Sequence, residues 1–377
     1  MRLALALSLL VVAGAAGGEP AAVAAARDAA DELRGTISAL DTAQRASDRV
    51  AALTATIGAY ERGLAALREG MRQVAVREAE IATGFAARQQ EIGQLLAAMA
   101  AIESSEAPAL LLHPDGALAA ARTGMILSDV APALQARADA LRAELAELAA
   151  LRALQAGANE TLAAGLASAQ EARTALSQAV AERGDLPKRY LQEPEELQAL
   201  VAAAQTLDGF AQGLADMETD IGAPMADFVG AKGQLPLPVL GTLLRGMNEA
   251  DAAGIRRPGL ILGTEAGALV TAPWPATIRY RGPLLDYANV MIVEPATGYL
   301  LILAGLGTVF GETGDVVSAG APLGLMGGTT TASAEIGQAV QIGGGARRSE
   351  TLYLELRQGK MPVDPAEWFT MTGNDQG

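Results

Sequence analysis

Apolar residues recur every seven positions over a long stretch of this chain, which commits the stretch to helices that bury one narrow stripe. One line runs Val50, Ile57, Leu64, Met71, Glu78, Phe85, Ile92, Met99, and its companion runs Leu53, Tyr60, Leu67, Val74, Ile81, Arg88, Leu95, Ile102. Only Glu78 and Arg88 interrupt them, so the stripe keeps to one face, as a coiled coil requires. A second helix carries Leu134, Leu141, Leu148, Leu162 and Leu176 on one line and Leu145, Leu166 and Val180 on the other, weakened by Arg152, Gln155, Asn159, Ala169 and Arg173. Two long helices with a short break most simply fold back as an antiparallel coiled-coil hairpin, here over residues 22–186. A parallel homodimer would bury the same stripes.

The break between the helices, residues 104–132, is not an ordinary turn. Pro108, Pro114 and Pro132 punctuate it, yet Leu110, Leu111, Leu112, Met125, Ile126, Leu127 and Val130 make it more apolar than a solvated loop. Short helices with an exposed apolar face at the hairpin tip fit this pattern, either as an interaction surface or as a small satellite core. After a break at Leu186, Pro187 and Lys188, residues 193–219 resume as a shorter amphipathic helix bearing Leu197, Leu200, Val201, Leu207, Phe210 and Leu214. This segment, within a linker region of residues 187–232, is either a packing helix or a strap lying across a groove until displaced.

Composition changes across residues 221–237. Before it Ala, Leu, Glu, Arg and Gln dominate, all good helix formers; after it Gly, Pro, Val, Ile, Thr and Tyr take over. Strand-like runs follow at 260–262, 268–271, 277–281, 290–294, 299–304, 322–326 and 351–356, separated by Gly and Pro turns. They indicate a small, mostly antiparallel β-domain over 233–377, and the GETGDVVSAG run at 311–320 has the compact turn pattern of lipoyl-type half-barrels. The fold class is α+β, in several domains.

Met1 and Arg2, the apolar residues 3–12 and the small residues 13–16 form the layout of a secretory signal peptide over residues 1–18. The apolar run is shorter than the roughly 20 residues a membrane span needs. A periplasmic location is expected, and the absence of cysteine suits it, since the chain is long enough to build a core without disulfides. The formal net charge of -15 and the lack of a Lys/Arg cluster speak against nucleic acid as a partner.

The chemistry of the β-domain is bounded by what is missing. The chain has one histidine, His113, far upstream and beside Pro114, where it reads as a surface turn residue, and no cysteine. A catalytic zinc needs three ligands drawn mainly from His, Cys and carboxylates, with a further general base.

The order LPLPV at 235–239, RPGLIL at 257–262, VTAP at 270–273, YANVMI at 287–292, GDVV at 314–317 and LYLELRQGKMPVDP at 352–365 resembles the LytM or M23 peptidase domain. Signal peptide, coiled coil and that domain together resemble the EnvC-type murein hydrolase activators over nearly the whole chain after the leader. In active members of the peptidase fold, an HxxxD motif, an isolated histidine and an HxH motif supply zinc ligands and catalytic groups. The corresponding positions here hold Arg257 and Ile261, then Gly305, then Thr351 and Tyr353. The resemblance therefore implies no enzyme activity, no catalytic residue, no metal and no cofactor. It implies instead a groove that binds a helix of a zinc-dependent N-acetylmuramoyl-L-alanine amidase, lined by Arg257, Ile261, Tyr287, Tyr353 and Arg357. It assigns the coiled coil to the periplasmic loop of an FtsX-like protein in an FtsE/FtsX complex, with residues 187–220 holding the groove closed.

Two other classes remain in view. A periplasmic adaptor of an efflux or secretion system also joins a helical hairpin to lipoyl-like strands, but inserts the hairpin within the lipoyl unit, whereas here the β-sequence follows the helices. An active zinc murein endopeptidase would have to work without the histidines. The segment 328–349 reads equally as a flexible flap over the groove or as a disordered loop.

Overall fold

The computed structural model describes scattered positions between 31 and 43, then residues 45–90, 92–94, 97, 117–182, 186, 194–217, 227–250, 254–327 and 350–370. The expected signal peptide, residues 104–116 with His113, and the 328–349 segment lie outside the described residues. Two long helices come first, α1 (Ala46–Ala87) and α2 (Ala117–Glu182), then two short ones, α3 (Pro194–Ala203) and α4 (Leu207–Asp216). No described helix is long and apolar enough to cross a membrane. The chain divides into two compact units, one of residues 1–27 and 63–167, the other of residues 28–62 and 168–377.

Within the first unit each charge that interrupts the apolar stripes of α1 meets an opposite charge on α2. Glu78 pairs with Arg152 and Arg88 with Glu144, at 2.8 and 2.7 Å, and Arg77 adds a pair with Glu147 at 2.8 Å. From Glu78–Arg152 to Arg88–Glu144 the position on α2 falls as that on α1 rises, so these stretches run antiparallel. Leu64, Ile81, Ala138 and Leu162 are buried in this unit.

Three expectations for the helices need correction. Residues 117–132 are not a separate tip: α2 runs through them with Pro132 inside it, the lost N–H and ring clash of a proline being tolerated there. The companion line of α2 is also displaced by one residue. Leu145 and Leu166 are 51% and 40% exposed, while Gly165, Ala172 and Ala179 are buried. Small residues win because the helices approach closely: a Cβ on Gly165 would stand 2.8 Å from Leu64 Cδ2. Finally, the single helix expected over 193–219 is two, because Thr206 caps a new start, its Oγ1 accepting from Gly209 N at 3.0 Å.

The second unit is built on a sheet of ten strands: β1 (Gly241–Arg245), β2 (Leu260–Thr264), β3 (Leu269–Thr271), β4 (Ala276–Pro283), β5 (Asn289–Ala296), β6 (Tyr299–Val309), β7 (Val316–Val317), β8 (Pro322–Met326), β9 (Glu350–Gln358) and β10 (Met361–Val363). The main path is β1-β2-β9-β6-β5-β4-β7, with β8 joining β3 to β6, and β10 on β9. All seven expected strands are present, and all strand pairs are antiparallel. The three unforeseen ones, β1, β7 and β10, are short or half-exposed, so they carry little apolar signal.

Both faces of the central strands are covered, which is why their sequences read as nearly unbroken apolar runs. Leu260, Leu262, Leu301, Leu303, Leu352, Leu354 and Leu356 point to one face, closed by Phe228, Leu235, Trp368 and Phe369. The alternate residues Ile261, Leu300, Ile302, Ala304 and Tyr353 point to the other. A third cluster packs Val50, Leu53, Ile57, Ala172, Leu176 and Ala179 of the helices onto Leu269 and Phe310. Glu61 Oε1 fastens this root, accepting from Arg173 Nη2 at 2.8 Å and from Leu269 N at 2.9 Å.

Candidate functional site

Strand register assembles the second face of the sheet. Ile261 on β2 lies opposite Tyr353 on β9, and Tyr353 lies opposite Ala304 on β6. On β9 the alternation that sends Leu352, Leu354 and Leu356 into the main core turns Tyr353, Glu355 and Arg357 the other way. Tyr287, in the turn between β4 and β5, brings its ring centroid to 6.2 Å from that of Tyr353, and its carbonyl accepts from Gly305 N at 3.1 Å. Arg257 acts on the Tyr353 hydroxyl electrostatically. The five residues expected to line a groove, Arg257, Ile261, Tyr287, Tyr353 and Arg357, thus share this region, together with Gly305 and Thr351.

They do not line an open groove. Leu207, Phe210, Ala211 and Leu214 fall on one face of α4, at the spacing of an amphipathic helix, and pack onto Ile261, Tyr280, Ile292, Ile302 and Tyr353. Phe210 meets Tyr280 edge to face at 4.8 Å between centroids. α3 braces α4 from behind, where Gly213 leaves room: a Cβ there would lie 2.4 Å from Leu200 Cδ1.

Charge holds α4 at both ends. Arg357, with no exposed side-chain surface, pairs through Nη1 with Asp208 in the first turn of α4 and with Glu355, each at 2.8 Å. Its Nη2 donates to Lys360 O, while its Nε has no partner among the described residues. At the far end Arg279 pairs with Glu294 within the core, and its Nη2 lies 3.4 Å from both Leu214 O and Met217 O, where a cation complements the helix C-terminus. Lys360 and Asp216 add an exposed pair at 2.7 Å.

The titrating groups follow from burial. Removal from water is the largest influence on Glu355 and raises its carboxyl, against the hydrogen bond from Tyr353 and the charge of Arg357. The Tyr353 hydroxyl, which donates to Glu355 Oε2 at 2.7 Å, is raised far above the usual phenol range by burial first and by the Glu355 charge second.

This donor set does not fit a zinc ion. An arginine, an isoleucine, a glycine, a threonine and a tyrosine whose proton is already committed to Glu355 offer no imidazole or carboxylate at the five positions. Gly305 has φ +102°, and a Cβ there would lie 2.5 Å from Thr351 O, so the backbone itself refuses a larger side chain. Among the described residues no group of three or more His, Cys, Asp or Glu is placed to hold a metal. Sequence reasoning missed Glu355, Asp208 and Arg279. The i, i+2 spacing of Tyr353, Glu355 and Arg357 could have revealed the first, but the other two require the fold.

Residues 256–365, from just before β2 to just past β10, match the family described as Peptidase family M23. The second unit therefore carries an M23 peptidase domain. A curated relative, an uncharacterized protein of Haemophilus influenzae, is 28% identical over 138 residues, covering 37% of this chain and 30% of that protein, so the chain spans less than a third of its length. Among solved structures, a putative peptidase M23 from Pseudomonas aeruginosa is 17% identical, with 46% of this chain and 61% of that one covered and a TM-score of 0.31. A structure of the SpoIIQ–SpoIIIAH pore-forming complex is 18% identical, with 37% and 93% covered and a TM-score of 0.30. Lysostaphin is 16% identical, with 38% and 62% covered and a TM-score of 0.29.

Proposed function

We propose that this chain is a non-catalytic periplasmic activator of zinc-dependent N-acetylmuramoyl-L-alanine amidases, working in peptidoglycan cleavage at cell division. The amidase is engaged through the face of Ile261, Tyr287, Tyr353 and Arg357, with Arg257 at its side, once α4 has left it. The long helices, packed as a coiled-coil hairpin, receive the signal from the periplasmic loop of an FtsX-like protein. The observation that carries this reading is an M23 domain in which a helix of the same chain covers the face of Ile261 and Tyr353, which by resemblance stand where an active peptidase keeps metal-binding or catalytic groups. A catalytic site would need its substrate there, whereas a docking site needs only a way to be closed.

The test is release of dye from labelled peptidoglycan by a purified zinc amidase in the presence of the full chain. Phe210→Ala, which loosens α4, is expected to raise stimulation over the unaltered chain, and Tyr287→Ala in that background to abolish it while the circular dichroism spectrum is retained. Release of peptides by the chain and zinc without amidase would instead identify an endopeptidase.

A further inference from the structure

The seated helix describes what else the face will accept. Arg357 is a cation with no exposed side-chain surface, and two carboxylates neutralise it: Glu355, which belongs to the sheet, and Asp208, which departs with α4. A helix that takes the place of α4 with an apolar or basic residue opposite Arg357 would cover a cation stripped of one counter-charge and already lacking a partner at Nε. Burying such a group costs several kcal/mol in general, because water is lost and nothing replaces it. The dipole adds to this. A helix N-terminus is itself positive, so bringing it to Arg357 is unfavourable unless a carboxylate sits in the first turn.

The other end is complementary. Arg279 faces the carbonyls of Leu214 and Met217, the negative end of a helix laid in this direction. Reversing the helix would carry its positive end and its first-turn carboxylate to Arg279, which Glu294 already neutralises, and leave Arg357 without the acid. Charge therefore fixes direction, and the apolar positions of α4 fix register.

We infer that the face selects an amphipathic helix carrying a carboxylate in its first turn, running in the direction of α4 and presenting apolar residues at the spacing of Leu207, Phe210, Ala211 and Leu214, with Arg357 as the residue that reads the acid. The inference rests on the proposed function in taking the partner to be a helix that replaces α4. It adds that α4 is a template for that partner, so the activating segment is acidic at its start and not merely greasy.

The experiment uses the full chain carrying Phe210→Ala and Leu214→Ala, which frees the face, and fluorescein-labelled synthetic peptides of residues 204–217 read by anisotropy. The natural peptide is expected to bind the freed chain and to bind the unaltered chain more weakly. The same peptide with Asp208→Asn is expected to bind about tenfold more weakly, the size of one lost charge-assisted hydrogen bond, and Asp208→Glu to restore most of the affinity. Equal binding of the natural and Asp208→Asn peptides overturns the inference, as does failure of the natural peptide to bind the freed chain. In the intact chain, Asp208→Asn is expected to speed amide exchange in α4 about tenfold, and unchanged exchange counts against Arg357 as the reader of the acid. None of these measurements contains an amidase, so the acid rule can stand where amidase stimulation fails, and stimulation can stand where the acid rule fails.

Discussion

Arginine–carboxylate pairs occur in both units of the molecule and do different work in each. In the helical unit Arg77–Glu147, Arg88–Glu144 and Arg152–Glu78 lie at the surface, each guanidinium about half exposed or more. In the β-containing unit Arg357–Glu355, Arg279–Glu294 and Arg173–Glu61 are almost wholly buried. Exposed pairs are screened by water and salt and set register at little energetic gain. Buried pairs cost dearly if one partner is removed, so they fix where an element must sit. The helical unit is thus held by a shallow stripe that tolerates rearrangement, and the β-unit by contacts with one solution.

The contrast is open to attack at several strengths. Glu294→Ala, which leaves Arg279 buried without its partner beside the end of α4, is expected to destabilise the β-unit by about 3–5 kcal/mol in urea unfolding. Phe210→Ala removes a ring with no exposed surface and is expected to weaken α4 docking by about 3 kcal/mol, read as faster proteolysis near residues 204–217. Gly165→Val crowds Leu64 and is expected to cost about 1–2 kcal/mol in the helical unit, seen in its thermal midpoint. Arg77→Ala, at the surface, is expected to leave that midpoint unchanged at physiological salt.

Acidity gives a further handle on the buried side. Because burial raises the Glu355 carboxyl above its ordinary value of 4.5, the folded chain holds a proton that the unfolded chain has released. That increment of stability is complete below pH 4.5 and is lost as pH rises through the folded value. Glu355→Gln, which still offers Tyr353 an acceptor, is expected to lose this pH dependence, so the midpoint of the natural chain should rise relative to the variant as the solution is acidified toward that value.

Much of this was legible from residue order. The seven strands with apolar runs are where expected, since a strand covered on both faces advertises itself in Leu, Ile and Val. Glu78 and Arg88 were conspicuous as breaks in the stripes, and each finds an opposite charge on α2. The inward line of α2 was misjudged because leucines attract attention, yet close helix approach favours Gly165, Ala172 and Ala179. The partition of 193–219 into two helices turned on Thr206, a capping residue with no capping-box glutamate after it to announce the start. At the candidate site, Ile261, Tyr287, Tyr353 and Arg357 could be located by motif order. That Arg357 is buried beneath α4 follows from Asp208, which is distant in sequence and brought to it only by folding.

Amide hydrogen exchange across residues 207–216, with and without a purified zinc amidase, tests the central claim most directly. In the full chain alone these amides should be protected as the sheet strands are, because α4 is seated by its apolar face and by Arg357 and Arg279. Binding of the amidase should expose them selectively while β9 stays protected. Amidase stimulation with α4 protection unchanged would contradict the account.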